Sequence, residues 1–70
     1  MIPAEAIAET AELFDRFNNA FDPTSRESRD AEQQFDAKVE ALYAAHAPDV
    51  DFAVFRYELI RQCRQYLAKN

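Results

Sequence analysis

The fold is decided by a stretch in the second half of the chain, residues 35–59, which reads FDAKVEALYAAHAPDVDFAVFRYEL. Its first part has apolar residues at three- and four-residue steps, the spacing that places side chains on one face of an α-helix. Pro48 interrupts this pattern, because proline disfavours a helical conformation in the residue before it. Asp51 then stands where an N-cap is expected, with Val50 and Phe55 at the positions of a hydrophobic staple. The stretch therefore predicts a helix, a short turn and a second helix.

The helical spacing continues from this stretch in both directions. It predicts three helices, over residues 3–20, 25–47 and 52–68. The predicted core-facing residues of the first helix are Ile7, Phe14, Phe17 and Phe21, with Thr10, Ala11 and Leu13 at the flanks. Those of the second are Ala31, Phe35, Val39, Leu42 and His46, with Tyr43 at the edge. Those of the third are Phe52, Phe55, Leu59, Cys63, Tyr66 and Leu67, with Ile60 at the edge.

The clearest break in the chain lies at residues 22–25, Asp-Pro-Thr-Ser. Thr24 followed by Glu27 has the spacing of a capping box, in which the two side chains satisfy backbone amides at a helix start. Asp22, with Pro23 at the first helical position, is an alternative start for the second helix. In either case the first helix has to end before Pro23.

Three helices of similar length with short connections predict an all-α fold. We expect a single domain over residues 1–70, a small antiparallel three-helix bundle with up-down-up order. The alternative is a long helical hairpin plus a third helix, whose core is completed by dimerisation. A chain of this length buries only about 60% of the surface that its unfolded form exposes, so a second chain or a partner is a source of additional stability.

Composition excludes several function classes. The chain has no glycine, and phosphate-binding loops, nucleophile elbows and dinucleotide fingerprints all need backbone conformations that glycine supplies. The only cysteine, Cys63, cannot form an internal disulfide, which suits a reducing compartment. No apolar run is long enough for a signal peptide or a membrane span. We therefore expect a soluble, cytoplasmic protein that has no contact with a membrane.

The inventory of catalytic residue types is poor. Cys63 and His46 are single representatives of their types and both lie on predicted apolar faces, where buried side chains are inert. The Glu-x-x-His spacing of a di-iron bundle does not occur. Asp49 and Asp51 precede a helix, where carboxylates commonly serve as caps. We predict a protein that is not an enzyme and that has no cofactor and no metal site.

Charge is distributed unevenly along the chain. Residues 52–70 carry four cations against one acid, a net charge of +3, within a chain whose net charge is −5. The predicted third helix has a second face, away from its core-facing residues, and that face carries Val54, Tyr57, Arg61 and Arg64. Tyrosine and arginine are the types enriched at the energetic centres of protein interfaces. This face therefore predicts binding to a protein partner or self-association, including a homodimer.

Other interpretations of the same charges stay open. Cations near the end of a helix also oppose its dipole, and an acidic first helix could simply pack beside them. As a recognition helix the third helix would offer Arg61, Gln62, Arg64 and Gln65 to nucleic acid, but the acidic net charge disfavours this. An acidic mimic of nucleic acid that inhibits a binding protein is a further alternative. The preferred prediction is a small accessory or regulatory module that acts by protein–protein contact.

Overall fold

The computed structural model of the protein describes residues 2–69. These residues contain three α-helices and no strand: α1 is Ala4–Asn18, α2 is Arg26–His46 and α3 is Phe52–Lys69. All three predicted helices are confirmed, and α1 is shorter at its end than expected. None of the three combines the length and the apolar character that crossing a membrane would require.

The turn that follows α1 corrects one core assignment. The Asn19 amide donates to the Asp15 carbonyl and closes the last turn of α1 at Asn18. Beyond it the Asp22 carboxylate accepts hydrogen bonds from the Thr24 amide, at 3.0 Å, and hydroxyl, at 2.7 Å. These bonds lower the pKa of Asp22, the hydroxyl having the larger effect. Phe21, predicted to face the core, lies outside the helix and is fully exposed.

The start of α2 differs by one residue from the predicted capping box. The Ser25 hydroxyl, not that of Thr24, accepts the hydrogen bond from the Ser28 amide, at 3.1 Å. The Thr24 hydroxyl is turned instead toward the Asp22 carboxylate, to which it donates. The alternative start, with Asp22 as the cap, is also wrong. The cap brings Ser28 into the interior, where it is buried.

The connection between α2 and α3 forms largely as predicted. The Asp51 carboxylate accepts hydrogen bonds from the Ala53 and Val54 amides, at 2.9 and 3.2 Å, and caps α3. The Tyr43 hydroxyl has the carbonyls of Pro48 and Val50 as acceptors for its one proton, which ties the turn back to α2. Val50 itself stays exposed, so the apolar contact expected of a staple does not bury it.

The core is a cluster of buried side chains from all three helices. Its members are Ala11, Phe14, Phe35, Val39, Leu42, Phe55, Leu59 and Cys63. The rings of Phe14 and Phe17 lie 5.6 and 5.2 Å from that of Phe35, measured between centroids, and join α1 to α2. Thr10, predicted at the flank of the α1 stripe, is fully buried, and its hydroxyl donates to the Ala6 carbonyl at 2.6 Å.

Two further residues predicted to face the core are exposed. His46, the last residue of α2, is exposed, because the core-facing row of α2 ends at Leu42. Phe52 is also exposed, although its ring packs edge-on against that of Tyr43, with centroids 5.1 Å apart. Both residues lie at helix ends, where the neighbouring helices leave their side chains exposed.

The helices do not contribute equally to the packing. α1 packs against both other helices, whereas α2 and α3 contact each other much less. The α1–α2 pair is also joined by an ion pair between Lys38 Nζ and Glu9 Oε2, at 2.7 Å. α3 is thus covered on one side only, and the rest of its surface faces outward.

The aromatic contacts predict that Phe35 is the residue on which stability depends most. Phe35→Ala should lower the free energy of unfolding by about 3–5 kcal/mol, because the cavity adds to the lost burial. Phe21→Ala, which also removes a benzyl group, should change it by less than about 0.5 kcal/mol. Urea denaturation followed by circular dichroism measures both. Equal effects of the two substitutions would contradict the described turn.

The capping geometry predicts that removing the hydroxyls of two neighbouring residues, Thr24 and Ser25, has different effects on stability. Ser25→Ala should lower the free energy of unfolding by about 1 kcal/mol, since the Ser28 amide loses its acceptor at the helix start. Thr24→Ala removes only an exposed hydrogen bond to Asp22 and should lower it by less than about 0.5 kcal/mol. Thermal unfolding of the two variants in the same buffer compares them. A larger loss for Thr24→Ala would restore the capping box predicted from the sequence.

Candidate protein-binding face on the third helix

The four residues predicted to bind a partner all lie on the outer surface of α3. Tyr57 is 68% exposed and Val54 is 55% exposed. The Arg61 side chain is 53% exposed, and Arg64 is exposed as well. Together these four residues are called the Tyr/Arg face. Its position follows from helical periodicity, because the buried row of α3 occupies the opposite side of the helix.

A groove of about 430 Å³ runs along this part of α3. It is lined by Ala53, Arg56, Tyr57, Ile60, Arg61 and Arg64. The groove brings together three members of the Tyr/Arg face, whereas Val54 lies outside it. Arg56 and Ile60 are not among the residues predicted from the sequence to bind a partner. Their signal is a four-residue spacing with Arg64, which places all three in one row along the helix.

Arg61 is held by a neighbour on its own helix. Its Nη2 and Nε donate to the same oxygen of Glu58, at 2.9 and 3.2 Å. Both side chains are about half exposed, so the pair adds at most a few tenths of a kcal/mol to stability. Its main effect is to orient the Arg61 guanidinium and to offset its charge.

Arg56 and Arg64 are held differently, against aromatic rings of the other two helices. The Arg56 guanidinium carbon lies 5.9 Å from the centroid of Phe35, and that of Arg64 lies 5.7 Å from the centroid of Phe14. Within residues 2–69 neither arginine forms an ion pair with a carboxylate. A ring face attracts the cation but leaves N–H donors of the guanidinium unused. Two charged, oriented donor groups therefore border the groove.

Cys63 and His46, the two residues considered as a nucleophile and base, are not brought together. Cys63 is fully buried, as predicted, and this burial raises the pKa of its thiol to about 11. His46 is exposed at the end of α2, and no hydrogen bond joins it to Cys63 in the described range. The same range contains no group of three or more His, Cys, Asp or Glu side chains placed to hold a metal ion.

Comparisons with known proteins supply no relative. No protein-family model matches the chain, and neither the curated proteins nor the solved structures include a match. The outer surface of α3 combines an exposed tyrosine, an apolar Ile60 and two arginines held against aromatic rings.

Burial of Cys63 predicts a slow reaction of its thiol with alkylating reagents. At pH 8 the native thiolate fraction should be roughly a hundred times below that of the unfolded chain, since the pKa is about 11 instead of 9.0. Iodoacetamide labelling followed by mass spectrometry, with and without urea, measures the ratio. The native rate should rise with pH as the thiol ionises. Equal rates in both states would show that the thiol is accessible.

Proposed function

We propose that this chain is a non-enzymatic interaction module that binds a protein partner through the Tyr/Arg face of α3. The observation that carries the proposal is the exposure of Tyr57 beside a groove bordered by arginines. An exposed aromatic ring gains much apolar burial on binding and loses little side-chain entropy. Arginine supplies directional hydrogen bonds next to it. This combination is typical of the central residues of interfaces.

The finer organisation of the bundle belongs to the same proposal. We infer that the helices run up, down and up, since residues 19–25 and 47–51 are short connections. The cross-helix pairs support opposite directions of α1 and α2. Glu9 meets Lys38, whereas Phe17, further along α1, meets Phe35, which lies earlier in α2. A second copy of the chain, as in a homodimer, is an alternative occupant of the Tyr/Arg face.

Two further parts of the proposal concern chemistry and location. The raised pKa and burial of Cys63 make it a poor nucleophile, which supports a function without catalysis. A free, buried thiol is also compatible with a reducing compartment, and we propose the cytoplasm. No cofactor or metal is part of the proposed mechanism, since shape and charge on α3 are sufficient for binding.

The proposal predicts that substitutions on the outer surface of α3 abolish partner binding without unfolding the protein. Tyr57→Ala combined with Arg61→Ala should abolish partner binding and shift the thermal midpoint by less than about 3 °C, because both side chains are largely exposed. The measurement is affinity capture from a lysate of the cells that encode the protein, with nuclease added and the retained proteins identified by mass spectrometry. Circular dichroism of the same preparations checks the fold.

A control variant is offered by the exposed side of α2. Arg29→Ala with Gln33→Ala removes one cation and one polar side chain at the same helical spacing and should leave capture unchanged. A partner that is lost equally from both variants does not bind the Tyr/Arg face. Retention that disappears with nuclease would favour nucleic acid as the partner. Unfolding of the Tyr57/Arg61 variant would show that this face belongs to the core.

A further inference from the structure

The groove on α3 carries more positive charge than the structure neutralises. Three arginines line it and no acidic residue does. Arg61 has Glu58 as its counterion, whereas Arg56 and Arg64 have aromatic rings and no carboxylate among the described residues. Two arginines thus have N–H donors without a carboxylate acceptor, next to an apolar side chain that a ligand can cover. We propose that the groove binds an acidic peptide segment of a protein partner, in which an apolar side chain lies between two carboxylates.

The spacing of the arginines defines the segment further. Arg56 and Arg64 are eight residues apart, about 12 Å along the helix axis at 1.5 Å per residue. Ile60 lies midway between them, and the ring of Tyr57 lies beside it on the same groove. An extended peptide covers this distance in about four residues and a helical peptide in about eight. The complementary sequence therefore has acids four or eight positions apart, with an apolar residue near the middle.

The aromatic contacts prepare the arginines for such a ligand. Each guanidinium rests over a ring that belongs to the core, Arg56 over Phe35 and Arg64 over Phe14. A side chain that is already held loses less conformational freedom on binding. The planar fork of arginine then matches a carboxylate with two parallel hydrogen bonds. This is why arginine, more than a charge alone, suits the proposed ligand.

A second copy of this chain fits the groove poorly. If α3 packed on α3 across a two-fold axis, two surfaces with the same excess of arginine would face each other, and like charges would oppose the contact. If α3 packed on the acidic surface of another copy without the reciprocal contact, the interface would be heterologous, and interfaces of this kind extend into rings or filaments instead of closing a dimer. The charges therefore favour a different protein as the source of the acids.

Nucleic acid is also a poorer ligand than an acidic peptide. A duplex carries one negative charge per about 1.7 Å, and a chain with a net charge of −5 repels so dense a charge. Only three arginines in the groove act against this repulsion, and Glu58 already pairs with one of them. A peptide with two or three acids has far less charge for the rest of the chain to repel. Its apolar side chain also uses Ile60, which a phosphate backbone does not.

This inference rests on the proposed function, and the experiment separates the two. Random peptides of about 16 residues, long enough for either spacing, are displayed on phage and selected against the immobilised full chain. We expect enrichment of sequences with two acids flanking an apolar residue. Changing both acids of a selected peptide to amides should weaken its binding at least about tenfold, as measured by fluorescence anisotropy. This change leaves the protein untouched, so it cannot be confused with unfolding.

Matched variants of the protein locate the binding site. Arg56→Gln with Arg64→Gln should lower the affinity for the selected peptide at least about tenfold. Arg26→Gln with Arg29→Gln makes an equal change of charge on α2 and should leave the affinity unchanged. Arg56→Lys with Arg64→Lys keeps the charge but not the fork, so binding should weaken only severalfold. For the unchanged protein, affinity should fall as the salt concentration rises.

Four results would overturn the inference. The first is selection of neutral or basic peptides, or of none, while capture of a partner still depends on Tyr57 and Arg61; the proposed function then stands alone. The second is that no peptide binds and that capture of a partner does not depend on Tyr57 and Arg61, which overturns the proposed function as well. The third is a dimer in sedimentation equilibrium that the Arg56/Arg64 glutamine variant dissociates. The fourth is salt-dependent binding of a labelled DNA duplex that competes with the peptide.

Discussion

Phe35 is completely buried, and its ring contacts those of two α1 residues one turn apart, Phe14 and Phe17. A chain of this size can bury little apolar surface, and an aromatic ring contributes more area than any aliphatic side chain. The three rings therefore provide much of the attraction between α1 and α2. The Arg56 guanidinium lies over the same Phe35 ring, so this ring is approached by side chains of both other helices. A shift of this ring would disturb all three helices.

The central place of α1 explains why a surface of α3 stays free. Because α3 packs mainly on α1, its buried row needs only one side of the helix. Arg56 and Arg64, beside that row, are exposed, and their guanidinium groups lie over aromatic rings. Lys38 differs from them, since it finds Glu9 across the α1–α2 contact and is neutralised there. Lys38 is thus paired across a contact between two helices, whereas Arg56 and Arg64 keep N–H donors to offer.

The candidate site could be predicted in part because exposure on a helix follows its period. Tyr57 and Arg61 are separated by four residues and lie opposite the buried row, and no knowledge of the other helices is needed to place them there. Arg56 and Ile60 lie at the border between the outer and the core-facing sides. Their access to solvent depends on where α1 lies. The spacing of residues within α3 does not give that position. The contact of Arg64 with the Phe14 ring depends on that placement too.

The sequence by itself determined the number of helices and most of their ends, since these depend on local chemistry: the apolar spacing, Pro48 and the Asp51 cap. Only the tertiary structure decided which apolar or polar residues are covered. Phe21 continues the apolar spacing of α1 but is exposed, because the chain turns before it and nothing packs there. Thr10 is polar but buried, because its hydroxyl finds a carbonyl within its own helix. Local patterns fix helices, whereas burial needs a neighbour, and neighbours come from the packing of distant segments.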